Sequence, residues 1–123
     1  MKNILITGGA GLVGTVLTQG LKDKYNVKIL DIKKADGVES HNGDISNLDS
    51  IMPAFKNIDT VVHLAGDRRV HGEWESILDN NIIGLYNIYE AARLSGVKRV
   101  IFASSQHATG GFYDVEPYSF ISK

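Results

Sequence analysis

The sequence predicts an α/β protein with a doubly wound parallel sheet of about five strands in the order 3-2-1-4-5. Three observations support this prediction. An apolar run leads into a glycine-rich turn at Ile4–Gly14. Strand-like runs then alternate with helix-like periodicity, and polar or glycine-containing segments follow the strand ends. Ligands in such sheets bind at the carboxyl ends of the strands near the switch point, here between strands 1 and 4.

The composition is that of an ordinary soluble globular protein, with 43% hydrophobic and 22% charged residues in 123. We expect one domain over residues 1–123, with no separate substrate domain. A net charge of −1 does not indicate a basic surface for binding nucleic acid. No apolar run approaches the roughly 20 residues of a membrane helix, and Met1–Asn3 leads into the first strand without a signal segment. These features predict a cytoplasmic protein without nucleic-acid or membrane partners.

Cysteine is absent from the sequence, which excludes disulfides, thiolate catalysis and cysteine-ligated metals. The four histidines show no ligand-pair spacing, so we predict no metal site. We expect three of the four to be structural or surface residues; the histidines are His41, His63, His71 and His107.

The glycine-rich turn predicts a dinucleotide site. A diphosphate must approach bare backbone N–H groups at a helix N-terminus, and a Cβ at the contact point would hold it off. The spacing fits two registers, Gly9-x-Gly11-x-x-Gly14 and Gly8-x-x-Gly11-x-x-Gly14, and the pattern alone does not choose between them. Its context is a preceding strand-like run, Lys2–Thr7, and helical spacing from Leu12 onward. Together these features predict a Rossmann-type fold.

Asp31 ends the second apolar run, 17 residues after Gly14. An acid at this position is placed to accept hydrogen bonds from an adenosine ribose, although it could also merely cap the strand. Its charge would repel a 2′-phosphate, which favours NAD over NADP. Lys33 and Lys34 weakly favour NADP instead, although they could simply belong to a solvated loop.

The later elements follow in order along the chain. We expect strand 3 near Val38–His41, strand 4 at Ile58–Leu64 and strand 5 at Arg99–Ala103. Ser46–Asp49 resembles a capping box before a short helix, which Pro53 should distort. The strand ends therefore bring five segments to one cleft: Gly8–Gly14, Asp31, Asp44, Ala65–Gly66 and Ser104–Ser105.

A polar loop, Asp67–Glu73, precedes a long helix predicted over Trp74–Ser95, with Gly96 as its C-cap. One apolar stripe on this helix contains Leu78, Ile82, Leu85, Tyr89 and Ala92. Further apolar residues lie away from that stripe, namely Ile77, Ile88 and Ala91. A helix that is apolar on two sides needs two partners, so we expect the sheet on one side and further chain or a second subunit on the other.

Four motifs together resemble the extended short-chain dehydrogenases, the NAD-dependent epimerase/dehydratase family. They are Thr7–Gly14, His63–Gly66, Asn80–Gly84 and Phe102–Ser105. The likeness covers nearly all of this chain and the first half or less of a typical family member. It favours the Gly8, Gly11, Gly14 register and implies NAD as the cofactor.

Within that family, the segments Asn81–Arg93 and Gly96–His107 look most like uronate dehydrogenases, which oxidise C1 of a hexuronic acid with NAD. By that resemblance, Asp31 contacts the adenosine ribose, and Asp44 and Ile45 flank the adenine. The implied cofactor-binding residues are Gly8, Gly11, Leu12, Val13, Gly14, Asp31, Asp44, Ile45, Leu64, Ala65, Gly66 and Asn81. The implied substrate contacts are Ser105, Gln106 and His107. Gln106 replaces the asparagine of that subfamily.

The family's catalytic base is a tyrosine followed by a lysine four residues later, and this sequence departs from that pattern. Four residues before Lys123 stands Ser119, and Tyr118 stands five before it. Five residues separate side chains by roughly 140° around a helix, so the usual pair needs a bulge or non-helical backbone. By the resemblance, Ser105, Tyr118 and Lys123 are the catalytic residues, and His107 is a substrate contact rather than a base. Tyr113 is a further catalytic candidate.

Several alternatives stay open. Asp44 could be an Asx-turn residue beside Gly43, and Ser104 and Ser105 could simply satisfy backbone groups. Asn81 could bridge backbone groups or be a plain polar position. The leading function is oxidation of a hexuronic acid, with a nucleotide-sugar epimerase or dehydratase as the alternative enzyme. The other two hypotheses are a non-catalytic NAD-binding module and a self-associating fragment. We expect a homo-oligomer whose small-molecule partner is a sugar acid or nucleotide sugar.

Overall fold

The computed structural model describes residues 1–69, 71–105 and 108. The strands are β1 (Asn3–Thr7), β2 (Asn26–Asp31), β3 (Glu39–Asn42), β4 (Thr60–His63) and β5 (Arg99–Phe102). The helices are α1 (Leu12–Leu21), α2 (Leu48–Ile51), α3 (Trp74–Ile77) and α4 (Gly84–Leu94). A 3₁₀ turn at Met52–Phe55 follows α2, and a π-helical segment at Leu78–Ile83 joins α3 to α4.

Among the described residues, all four strand pairings are parallel, and the sheet order is β3-β2-β1-β4-β5. In the central strand, Ile6 lies between Ile29 of β2 and Val62 of β4. This confirms the predicted fold class and places the switch point between β1 and β4. The carboxyl ends of all five strands consequently share one edge of the sheet.

Alternation along the strands divides the core between the two faces of the sheet. One face packs against α2, the 3₁₀ turn and α4, and its buried residues include Leu5, Leu30, Phe55, Val61 and Ile88. The other packs against α1, and its buried residues are Ile4, Ile6, Val27 and Val62. Because side chains alternate with a period of two, neighbouring residues in β1 and β4 serve opposite layers. No helix within residues 1–69 and 71–105 is long and apolar enough to cross a membrane.

The short helix α2 begins one residue later than the capping-box pattern indicates. Its N-cap is Asn47, whose side-chain oxygen accepts a hydrogen bond of 3.2 Å from the backbone N–H of Ser50. Ser46 instead donates to the Asp44 carboxylate. The expected distortion at Pro53 is confirmed, since the α-helix ends at Ile51 and the chain continues as a 3₁₀ turn.

The predicted long helix is interrupted by the π-helical segment, and this changes which face is buried. Ile88 is fully buried, whereas Ile82 and Tyr89 are 50% and 47% exposed. The predicted stripe through Ile82 and Tyr89 is therefore wrong as the buried face. A π turn contains more residues than an α turn, so the positions after it are rotated away from a continuous 3.6-residue pattern.

The packed face of α4 lies close to the loop after β3. A Cβ added to Gly84 would lie 2.7 Å from Ile45 Cδ1, and Asn87 Nδ2 donates to the Ile45 carbonyl at 2.8 Å. The outward face carries exposed Tyr86 and Tyr89, and a second subunit on this side stays a prediction.

The end of α4 confirms Gly96 in the predicted terminating position. Gly96 has φ +70° and donates its N–H to Arg93 O, while the Val97 N–H donates to Ala92 O. These two bonds form a Schellman motif, which a residue with a side chain would strain.

We expect Ile88→Ala to lower the free energy of unfolding by about 2–5 kcal/mol, because it leaves a cavity in the core. Ile82→Ala, the matched control on the same helical run, should change it by less than about 1 kcal/mol, because half of that side chain is exposed. Urea denaturation followed by circular dichroism measures both. Equal losses would contradict the register observed in α4.

Candidate functional site

The carboxyl edge of the sheet opens into a cleft of about 640 Å³, a size typical of small-molecule sites. Eleven of the twelve predicted cofactor-binding residues line it, namely Gly8, Gly11, Leu12, Val13, Gly14, Asp31, Asp44, Ile45, Leu64, Ala65 and Gly66. A larger groove of about 830 Å³ lies at the amino edge of the sheet, and its lining contains none of them. The smaller cleft is therefore the candidate site, because the predicted chemistry converges there.

The glycine turn is held tightly between the ends of β2 and β4. Gly8 has φ +70°, and its N–H donates to Leu30 O at 2.9 Å. A Cβ on Gly8 would lie 2.8 Å from the backbone nitrogen of Ala65. Both the positive φ and the close approach require glycine here.

The other glycines of the turn have separate roles. A Cβ on Gly9 would lie 2.6 Å from the Ile29 side chain, and one on Gly14 would collide with the Gly8 carbonyl oxygen. Gly9 is absent from the cleft lining, whereas Gly8, Gly11 and Gly14 all belong to it. This distribution favours the register Gly8-x-x-Gly11-x-x-Gly14 over the one that begins at Gly9.

The N-terminus of α1 faces this cleft, and its first turn carries no acidic residue. Its N-cap is Gly11, which has no side chain to bond the first-turn N–H groups, and no acidic residue stands in the first turn. The first N–H groups of a helix have no acceptor within the helix, and the helix dipole makes this end partially positive. The end of α1 therefore fits an anionic group such as a diphosphate.

Asp31 connects the glycine turn to the end of β2. Its Oδ2 accepts a hydrogen bond of 3.0 Å from the Ala10 N–H, and its Oδ1 accepts one of 2.9 Å from the Lys33 N–H. An ionised carboxylate has about four acceptor positions, so both oxygens can still accept from a ribose. The contact with Ala10 is a structural role that the sequence pattern did not indicate.

Asp44 and Ile45 form the wall of the cleft after β3. Asp44 Oδ1 accepts from the N–H and the hydroxyl of Ser46 at 2.9 and 2.8 Å, which is the Asx-turn alternative left open by the sequence. Ile45 is 6% exposed and is held by Asn87 through its carbonyl. Both residues are thus fixed by the fold as well as placed in the lining.

Asn81, the twelfth predicted residue, stands behind the lining. Its Oδ1 accepts from the Asp67 N–H at 2.6 Å, and its Nδ2 donates to the Asp67 carbonyl at 2.8 Å. A Cβ on Gly66 would lie 2.9 Å from the same Oδ1. Asn81 therefore takes the backbone-bridging role among the alternatives, while its neighbour Asn80 lines the cleft.

The loop after β4 contains a charged cluster that the sequence patterns did not predict. The Asp67 side chain is only 5% exposed and accepts from the Ser76 hydroxyl at 2.6 Å and from Arg69 Nε at 2.9 Å. The Arg69 guanidinium, followed by the Ser76 hydroxyl, holds the pKa of Asp67 well below its usual range. The sequence could have indicated an ion pair between Asp67 and Arg69, because they stand two residues apart. It could not have indicated the contact with Ser76, which belongs to α3.

His63 and Thr7 form a buried pair beneath the cleft floor. Thr7 Oγ1 lies 2.6 Å from His63 Nδ1 and accepts from the N–H groups of Leu64 and Ala65 at 3.3 Å. With both N–H groups donating to Oγ1, the hydroxyl proton is left to donate to the imidazole. Burial lowers the pKa of His63 to about 4, so the ring is neutral at pH 7. His63 is a structural histidine.

The predicted substrate side is only partly described. Ser104 and Ser105 follow β5 and are exposed, and Ser105 is not in the cleft lining. Gln106, His107, Tyr113, Tyr118 and Lys123 lie outside the described residues. Within the described residues, no group of three or more histidines or acids could hold a metal ion.

The fold and this cleft define a dinucleotide-binding α/β domain. The chain belongs to the NAD dependent epimerase/dehydratase family, whose model matches residues 4–119. This confirms the predicted family. The family is NAD dependent, which confirms the predicted cofactor.

Among curated relatives, uronate dehydrogenase of Pseudomonas syringae pv. tomato is 40% identical over 116 residues, covering 89% of this chain and 42% of that protein. L-arabinose 1-dehydrogenase (NAD(P)(+)) of Haloferax volcanii is 36% identical over 107 residues, covering 87% and 42%. The chain thus spans less than half the length of these relatives.

Solved structures of similar proteins likewise match most of this chain and less than half of their own length. A uronate dehydrogenase mutant from Agrobacterium tumefaciens complexed with NAD has a TM-score of 0.80 and 38% identity, covering 87% of this chain and 42% of that one. A protein named MoeE5, in complex with UDP-glucuronic acid and NAD, has a TM-score of 0.74 and 30% identity, covering 84% and 36%.

We expect Gly14→Ala to lower the free energy of unfolding by about 1–3 kcal/mol, because the new methyl group collides with the Gly8 carbonyl. Gly20→Ala is the matched control in the same helix. It has open space around its Cβ and should raise the free energy of unfolding by about 0.5–1 kcal/mol. Thermal or urea unfolding measures both; a tolerated Gly14→Ala would contradict the tight packing of α1 on the turn.

We expect the stability of the protein to fall as the pH drops from about 6.5 to about 4. In this range the unfolded chain protonates His63 and the folded chain does not, so unfolding takes up a proton. The contribution reaches about 1.4 kcal/mol per pH unit. Urea unfolding across this range should show a smaller slope for His63→Gln than for the wild type. His71→Gln makes the same change at an exposed position and is the matched control. An unchanged slope in His63→Gln would contradict the prediction.

Proposed function

We propose that this chain is the NAD-binding part of an oxidoreductase that oxidises a hexuronic acid at C1 by hydride transfer to NAD. The observation that carries the proposal is the position of Asp31. Its carboxylate is bonded to the glycine turn and opens onto the same cleft as the uncapped N-terminus of α1. A donor site for a diphosphate and an acceptor site for a ribose therefore stand side by side.

The proposed cofactor contacts follow the strand ends. Gly8, Gly11 and Gly14 let the diphosphate approach the N–H groups of Leu12 and Val13. Asp31 accepts from the adenosine ribose, and the adenine lies beside Asp44 and Ile45. Backbone atoms of Leu64, Ala65 and Gly66 lie at the other end of the cofactor. When bound, NAD supplies the hydride acceptor.

The proposed substrate contacts follow β5. Ser105 would hold and polarise the C1 hydroxyl, with Gln106 and His107 contacting the sugar. Removing a hydride from C1 requires the hydroxyl proton to leave as well, so a base must lie within hydrogen-bonding reach of it. Tyr118 stays the proposed base, and Lys123 stays the proposed catalytic lysine.

The uronate substrate is supported by likeness to uronate dehydrogenases in both sequence and structure. The alternative is a nucleotide-sugar epimerase or dehydratase, which the family description and the UDP-glucuronic acid complex of a structural neighbour favour. A non-catalytic NAD-binding module is the third candidate, and it is motivated by the Tyr118 and Lys123 spacing.

The cofactor site is tested by isothermal titration of NAD and NADP into the wild type, Asp31→Asn and Asp36→Asn. We expect Asp31→Asn to weaken NAD binding by about tenfold or more and to reduce the preference for NAD over NADP. Asp36→Asn makes the same charge change in an exposed loop and should alter neither quantity. The preference ratio separates loss of ribose recognition from general damage to the turn. An unchanged ratio in Asp31→Asn would exclude the proposed ribose contact.

The reaction is tested by following NADH formation with galacturonate or glucuronate. Net NADH supports the dehydrogenase. Redox-neutral conversion of a nucleotide sugar supports the epimerase, and NAD binding without turnover of either substrate class supports the binding module.

A further inference from the structure

Three cationic residues line the cleft among the residues that the structure describes: Lys33, Arg68 and Arg69. Arg69 is bound to the Asp67 carboxylate through Nε and a terminal nitrogen, so its charge is compensated. Arg68 has no hydrogen bond or ion pair with the described part of the chain, and it is an exposed residue of the cleft lining. Within residues 1–69, 71–105 and 108, the loop after β4 thus presents one paired guanidinium and one unpaired guanidinium.

The position of Arg68 along the sheet edge separates it from the adenosine end of the cleft. Lys33 and Asp31 follow β2, whereas Arg68 follows β4, and β1 with its glycine turn lies between those strands. Ser105 follows β5, the neighbour of β4. A molecule with its diphosphate at the glycine turn and its adenosine at Asp31 extends its other end toward the loop that carries Arg68.

The backbone on each side of Arg68 is anchored. Asn81 bonds both the N–H and the carbonyl of Asp67, and the Asp67 carboxylate accepts from the N–H of Arg69 at 3.0 Å. Ser76 bonds the same carboxylate from α3. Asn81 belongs to the π-helical segment, so the irregular stretch of helix supports this loop. An anchored backbone reduces the ordering cost when the arginine binds a ligand.

We propose that Arg68 binds the carboxylate of the sugar-acid substrate, and that Asp67 and Asn81 are positioning residues for it. This inference rests on the proposed function and adds the residue that selects an acidic sugar over a neutral one. A guanidinium can bind a carboxylate through two parallel hydrogen bonds, which a neutral hydroxymethyl group cannot accept in the same way. The pairing of Asp67 with Arg69 keeps that acid from competing for Arg68.

The test measures galacturonate and galactose binding by isothermal titration in the presence of saturating NADH, together with kcat and KM where turnover occurs. We expect Arg68→Gln to weaken galacturonate binding about 10- to 100-fold while galactose binding and the Kd for NAD stay unchanged. Arg68→Lys should give an intermediate loss, because an ammonium makes only a point contact. Arg99→Gln, the same change at an exposed position outside the cleft, should have no effect. The loss should be in KM, with kcat changed less than about threefold.

Three results would overturn the inference. Equal weakening of both sugars in Arg68→Gln would indicate a structural role. Weaker NAD binding with galacturonate binding unaffected would place the cofactor diphosphate on Arg68. Wild-type protein that binds NAD but no uronate would refute the substrate proposal and this inference together, whereas an Arg68→Gln variant that binds uronate normally would refute this inference alone.

Discussion

The close contact of the glycine turn with the strands on either side of it is the constraint on which the site depends. The Gly8 N–H bonds the end of β2, and the same residue lies against the backbone of Ala65 at the end of β4. Asp31 adds a side-chain bond to Ala10. These contacts hold the start of α1 over the switch point, so its uncapped end lines the cleft. A side chain at Gly8 would push the turn away from β4 and open the binding edge.

A second constraint comes from the opposite wall of the cleft, where the π-helical segment supports the loop after β4. The π-helical segment places Asn81 against the Asp67 backbone, while α4 continues with Gly84 and Asn87 against Ile45. One helical run therefore positions both the loop after β4 and the loop after β3. Irregular helix turns are frequent at functional sites, and here the irregularity allows a single element to serve two strand ends.

Beneath these loops, the Thr7 and His63 pair shows how buried polar groups are matched. The Thr7 hydroxyl serves the two N–H groups that begin the loop after β4 and also bonds the imidazole. Because burial holds His63 neutral at pH 7, the imidazole accepts a hydrogen bond and carries no positive charge. The packing of the ring against Phe102 of β5 extends this contact to the next strand.

Much of the fold and part of the site follow from local patterns that the sequence contains by itself. Apolar runs with a period of two define the strands, and the glycine spacing with Asp31 defines the dinucleotide motif, because each feature depends on residues close in the chain. The tertiary structure alone decided which face of α4 is buried and that Asn81 bridges Asp67. It also brought Ser76 to Asp67 and left Arg68 without an ion-pair partner among the described residues. Those features depend on contacts between distant segments and on a π turn that periodicity does not encode.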